Sequence, residues 1–162
     1  MRSGRRLAID VGKARVGLAI CDFHGILASG LATVARQPDL NETAALIFKT
    51  VRDEGIELNE IVEIYVGLPT NLKGQDTEST RDALAVAFAL QKIGTTDIRL
   101  VDERLTTVSA TAALRSSGVN SKKGRSFIDQ VAATLILEQA LAVEKTSGEK
   151  PGQPIADFEG QI

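Results

Sequence analysis

The sequence predicts an α/β domain on a mixed five-stranded sheet, an antiparallel meander of strands 1–3 followed by parallel strands 4–5, flanked by helices. Three observations predict it. Two apolar runs, Leu7-Ala8-Ile9 and Val16-Gly17-Leu18-Ala19-Ile20, are joined by Asp10-Val11-Gly12-Lys13-Ala14-Arg15, the pattern of a hairpin or tightly linked strand pair. A third apolar and β-branched run follows the turn signal Asp22-Phe23-His24-Gly25, close enough to complete a meander. From residue 38 onward helical and strand patterns alternate, and a helix between two strands implies a right-handed crossover to a parallel neighbour.

Strand 1 is predicted over roughly 5–10 and strand 2 over roughly 16–22. Asp10 sits where strand 1 ends, among residues that favour burial. Aspartate has low β propensity and is rarely buried without a partner, so an arginine, backbone N–H groups or a metal must compensate it. Gly12 permits a positive φ or the close approach of a ligand. Taken alone, Asp-x-Gly also describes a turn aspartate satisfying its own loop. Strand 3 is predicted over 26–34, and the lone histidine, His24, falls in the turn before it, which argues against a histidine general base. Pro38-Asp39-Leu40-Asn41-Glu42 opens a helix with Asp39 or Asn41 as N-cap, Leu40, Ala44, Ile47, Phe48 and Val51 as buried face, and Gly55 as its end.

The apolar stretch 60–69 reads as strand 4, which stops at Gly67 with Pro69 preventing its extension, and the loop 70–75 leaves its carboxyl end. A second helix over 76–92 faces the core with Leu84, Ala87, Phe88 and Gln91 and stops at Gly94. Strand 5, over 97–101, ends in Asp102-Glu103-Arg104, again acids at a carboxyl end, where open α/β sheets bind ligands. Thr106 or Thr107 caps a short helix through Leu114. Residues 119–126 read as a basic, mobile loop, and the last helix runs over about 127–143 with Asp129 in its first turn. Its packed face is Ile128, Val131, Ala132, Leu135, Ile136 and Leu141. The domain therefore covers 1–145, and 146–162, without periodicity, reads as a disordered tail whose removal after Lys145 costs the fold little.

The composition is that of an ordinary globular chain of 162 residues, with 43% hydrophobic and 25% charged residues. No apolar run approaches the ~20 residues needed to span a bilayer, and the basic N-terminus leads straight into strand 1, so the chain reads as cytosolic. One cysteine, Cys21, excludes an internal disulfide and a cysteine zinc cage; it reads as a packed small hydrophobe, or an intermolecular bridge if it lies at an edge. The net charge of −2 does not advertise nucleic-acid binding. The tail alone carries that −2, with Lys150 against Glu149, Asp157 and Glu159, leaving a neutral body. Bases cluster there at Arg2/Arg5/Arg6, Lys13/Arg15 and Lys122/Lys123/Arg125, as phosphate contacts or simply as solvated surface.

Three acids share one end of their elements: Asp10 ends strand 1, Glu103 ends strand 5 and Asp129 opens the last helix. Bare convergence of like charges is costly, and a hard divalent cation removes the cost; oxygen ligands alone suit magnesium or manganese. Individually, Glu103 or Asp129 also reads as a partner of Arg104, Lys122 or Arg125, or as an acid favouring a helix N-terminus.

Ala8-Ile9-Asp10-Val11-Gly12 with Val16-Gly17-Leu18-Ala19, then Val66-Gly67-Leu68-Pro69, Val101-Asp102-Glu103-Arg104-Leu105-Thr106-Thr107 and Asp129-Gln130-Val131-Ala132-Ala133 resemble the YqgF/RuvX family. These are ribonuclease H-like nucleases described as Holliday junction resolvases or pre-16S rRNA nucleases. The resemblance covers about residues 5–143 with its motifs in order. It implies a ribonuclease H-like fold and a magnesium- or manganese-dependent site at Asp10, Glu103 and Asp129, which would be both catalytic and metal-binding; the role of Asp102 stays open. It also implies phosphodiester hydrolysis in an RNA precursor or a four-way DNA junction, with Lys13, Arg104, Lys122, Lys123 and Arg125 holding phosphates. A symmetric junction would favour a homodimer. Two rivals stand beside it. Actin-like and sugar-kinase ATPases open on a similar hairpin but need two such domains, and no G-x-x-x-x-G-K-[ST] loop occurs. A non-catalytic ribosome assembly factor could keep the fold and bind RNA.

Overall fold

The computed structural model describes residues 1–69, 77–103 and 122–161, with only the backbone at Lys122 and Lys123. The loop 70–75, Arg104 and the helix expected over 106–114 lie outside the described residues. Strands β1 (Arg5–Val11), β2 (Arg15–Cys21) and β3 (Ala28–Ala35) form the meander. Strand β3 starts two residues later than its composition suggests. The Asp22 carboxylate takes the N–H groups of His24, Ile26 and Leu27, the latter two at 2.7 Å, and so keeps them out of the ladder. Those donors, Leu27 foremost, hold the Asp22 carboxyl below its usual range.

Helix α1 (Leu40–Asp53) is capped by Asp39, whose side chain accepts from the Glu42 N–H. Thr43, Ala44, Ile47, Phe48 and Val51 face the sheet, whereas Leu40, expected on that face, is exposed in the first turn. After β4 (Ile61–Leu68), helix α2 (Glu78–Ile93) starts on a Thr77–Thr80 capping box, and Thr80 Oγ1 also donates to the Pro69 carbonyl, tying the helix start to the end of β4. Gln91, expected in the packed face, is exposed. Strand β5 (Asp97–Asp102) follows. The last long helix, α3 (Lys122–Ser147), begins about five residues earlier than its apolar pattern and absorbs part of the expected mobile loop.

The strand order is β3-β2-β1-β4-β5-β6, where β6 is the short strand Gln153–Pro154, with β1, β4 and β5 mutually parallel and the rest antiparallel. Strand alternation sorts the core into two layers. Leu7, Ile9, Leu18, Ile64, Val66 and Leu100 point to α1 and α2; Ala8, Ala19, Cys21, Tyr65 and Val101 point to α3. The second layer is rich in alanine on both sheet and helix, including Ala133 and Ala140, so α3 lies close to the strands. Helix α3 is long and apolar enough to cross a bilayer by length and composition; here its apolar face lies on the sheet. Cys21 packs in this layer on an internal strand, its sulfur accepting the Arg6 N–H, and burial pushes its thiol pKa up.

The basic residues near the N-terminus, open in the sequence between phosphate contacts and solvated surface, pair with acids of the fold. Arg6 is fully buried and donates to Glu144 on α3 at 2.7 Å, Arg2 bridges Glu144 and Glu63, and Arg5 pairs with Glu60. The tail expected to be disordered is ordered to Gln161 and adds the sixth strand: β6 (Gln153–Pro154) pairs with β5, and Ile155 and Phe158 of the following 3-10 turn are buried. Arg99 fixes it by donating to the Pro151 and Gly152 carbonyls at 2.6 and 2.8 Å. Two anchors and a covered sheet edge sufficed where no periodicity existed. Truncation after Lys145 is accordingly expected to destabilise the protein by on the order of 3 kcal/mol, from loss of two large buried side chains. In a thermal melt this reads as a drop of ~6–12 °C. A melting temperature unchanged by truncation would show that the docked segment contributes nothing.

Candidate active site

Asp10 is the last but one residue of β1 and only 6% exposed. Its register partner on β2 is Gly17, and on the parallel side Ile9 lies opposite Val66, so the next step brings Asp10 beside Gly67. Laterally paired residues share a face, which here is the α3 face. Both neighbours of Asp10 thus lack a side chain, and other side chains use the space. A Cβ on Gly17 would lie 2.1 Å from the Asp129 carbonyl oxygen and 3.2 Å from the Asp129 Cβ. One on Gly67 would lie 2.8 Å from Glu103 Oε1 and 3.2 Å from its Cγ. Asp129 therefore sits over β2 and Glu103 over β4, with Asp10 on the strand between. Adjacent strands are only ~4.8 Å apart.

Alternation also separates Glu103 from its neighbour. Ile98 and Leu100 face α1 and α2, so Asp102, two residues on, shares their face, while Glu103 turns to Gly67 on the α3 side. Because α3 starts at Lys122, Asp129 lies two turns into the helix rather than in its first turn. Thr33 on β3, the register partner of Gly17, holds that end of the helix down. Its hydroxyl donates to the Ser126 carbonyl and accepts from the Ser126 hydroxyl, both at 3.0 Å, and Gln130 Nε2 reaches it at 3.4 Å.

Two arginines carry functions that their positions in the sequence did not announce. Arg15, at the start of β2, donates from Nε to Asp129 Oδ2 at 2.7 Å. The available signal was parity: Arg15 stands two residues before Gly17 and so shares its face. Arg36, just past β3, donates to the Gly12 carbonyl at 2.9 Å and pairs with Asp82 of α2, so it buttresses the turn behind Asp10. Nothing local in the sequence marked it. Of the expected phosphate contacts, Lys13 is exposed on the β1–β2 turn and Arg125 is exposed at the start of α3, while Lys122 and Lys123 are the first residues of that helix. Arg104 lies outside the described residues.

Among the described residues no three His, Cys, Asp or Glu side chains close round one point as a metal cage. The carboxylates instead line up across adjacent strands, one of them engaged by Arg15, as like charges do when a guanidinium supplies the countercharge. Their donor chemistry, oxygen only and from three different elements, is of the kind that a hard divalent cation takes.

A family model described as RuvX, Holliday junction resolvase, matches residues 4–143. A protein of Leifsonia xyli subsp. xyli named "Putative pre-16S rRNA nuclease" is 50% identical over 155 residues, covering 96% of each chain. A protein of the same name from Streptomyces avermitilis is 47% identical over 156 residues, again covering 96% of each. Among solved structures, T. thermophilus RuvC in complex with Holliday junction substrate superposes with a TM-score of 0.54 at 14% identity, over 93% of this chain and 99% of that one. That likeness is one of fold, the ribonuclease H-like arrangement that the strand order also follows.

Proposed function

The chain belongs to the RuvX family of nucleases, and on that premise we propose that it is a divalent-metal-dependent endonuclease that cuts phosphodiester bonds in a precursor of ribosomal RNA. The observation that carries the reading is the pair of glycines beside Asp10, over which Glu103 and Asp129 are seated. These three acids would hold magnesium or manganese. A cation there would lower the pKa of an attacking water and stabilise charge on the leaving oxygen.

The protein's own contribution is placement. Asp10 rides on a strand hydrogen-bonded on both sides, so its carboxylate is positioned before substrate arrives. Arg36 fixes the turn that follows, and burial of Asp10 and Asp129 keeps bulk water from screening their charge. Lys13 and Arg125, with Arg104, Lys122 and Lys123, would bind phosphates without reading bases. The substrate reading follows the names of relatives at up to 50% identity, and such a nuclease would act in the cytoplasm. The family description supports the four-way DNA junction as second reading, for which a homodimer would match the symmetry of the substrate.

The test offers the purified chain, with magnesium or manganese, a structured ribosomal RNA precursor, a mobile four-way DNA junction and linear duplex DNA. Cleavage of the RNA alone is expected. Cleavage of the junction alone would establish the second reading. Tight RNA binding with no cleavage of anything would make the protein a non-catalytic assembly factor.

A further inference from the structure

We infer that Arg15 is a built-in counter-ion of the carboxylate site and competes with the divalent cation for Asp129. The inference rests on the proposed metal-binding role of Asp10, Glu103 and Asp129. Its basis is the contact between Arg15 Nε and Asp129 Oδ2 at 2.7 Å, within the range of a charge-assisted hydrogen bond. The two partners differ in freedom. The Asp129 side chain is 8% exposed and its backbone is wedged on Gly17, whereas the Arg15 side chain is 35% exposed at the first residue of a strand. The acid is the fixed partner and the guanidinium the one able to leave.

The lone pair that accepts the Nε–H is not available to a cation at the same time. A doubly charged ion beside a retained guanidinium would also be repelled by it. A cation that takes this oxygen displaces Arg15 from Asp129 and turns a positive side chain towards solvent. Arg15 in this arrangement is a positioning residue for the unloaded site, keeping Asp129 in place at the cost of weaker metal binding.

The sign of the effect separates this from ordinary support. If Arg15 merely held Asp129 in a shape that favours metal, its loss would weaken metal binding. As a competitor, its loss strengthens it. The experiment titrates manganese alone into the full chain by calorimetry at constant ionic strength, comparing wild type with Arg15→Gln, Arg15→Lys and Asp10→Asn. Arg15→Gln is expected to melt lower than wild type without metal, yet to bind manganese roughly two- to fivefold more tightly, the worth of a partly exposed ion pair. Its stabilisation by manganese should be correspondingly larger. Arg15→Lys, which keeps the charge and loses the Nε–H, should fall between the two and carries the test if the glutamine variant does not fold. Equal or weaker affinity in both variants would overturn the inference and leave the metal reading standing. A wild type with no manganese binding that depends on Asp10 would overturn the metal reading and the inference with it.

Discussion

Asp10→Asn is expected to lower the cleavage rate well beyond tenfold, more than ~1.4 kcal/mol of barrier, while leaving the fold intact. Asparagine has nearly the same shape, and a residue 6% exposed between Gly17 and the edge of β4 has room for it without rearrangement. What is lost is charge. Asp10 sits on an internal strand hydrogen-bonded to β2 and β4, whereas Glu103 lies just past the last residue of β5 and Asp129 reaches the site from a helix. The ligand on the most constrained element contributes most to transition-state geometry, because its position needs no reorganisation. Single-turnover cleavage of whichever substrate the wild type cuts measures the effect. A thermal melt without metal supplies the control: the variant should unfold cooperatively, showing that the loss of rate is not a loss of fold. Metal-dependent cleavage that survives in Asp10→Asn at near wild-type rate would defeat the assignment of the site.

The sequence pattern was most informative where structure is decided locally. The hairpin around Asp10, the Asp39 cap, the end of β4 before Pro69 and the parallel order of β4 and β5 all follow from short-range chemistry, and the structure has them. The motifs that carry the family resemblance lie on those elements, which is why the fold was legible. Long-range pairing was not. Arg6 and Glu144 are 138 residues apart, and nothing in a local window distinguishes a buried ion pair from two surface charges. The same holds for Arg15 and Asp129, separated by 114 residues. The C-terminal segment misled for a related reason. Ile155 and Phe158 are two anchors in a stretch of Gly, Pro and acids, too few to show a period, yet enough to dock once β5 offers an unpaired edge. Helix α3 gained its first turn from residues with no apolar signal, which moved Asp129 inward along the helix.

The glycines beside Asp10 make the sharpest use of that long-range geometry. Gly17→Ala is expected to cost ~1–3 kcal/mol of stability, the usual effect of overpacking, and about a hundredfold in rate, the effect of a catalytic group displaced by about an ångström. The added Cβ would meet the Asp129 carbonyl oxygen at 2.1 Å and its carbon at 2.6 Å, both backbone atoms of a helix, so no change of rotamer relieves the contact. Helix α3 must lift from β2 instead. That movement strains the Thr33 contacts to Ser126 and Gln130 and the Arg15 bond to Asp129, and it carries the Asp129 carboxylate away from Asp10. Gly67→Ala gives the contrast. Its Cβ would meet Ile136 Cδ1 at 2.6 Å and Glu103 Oε1 at 2.8 Å, the far ends of flexible side chains that can turn away. It should therefore cost less stability than Gly17→Ala while still lowering the rate, because Glu103 is what turns. Melting temperatures and single-turnover rates of the two variants, read together, check both statements. Wild-type cleavage by Gly17→Ala would mean that the seat of α3 on β2 is not what positions Asp129, and that the carboxylate reaches its place by another route.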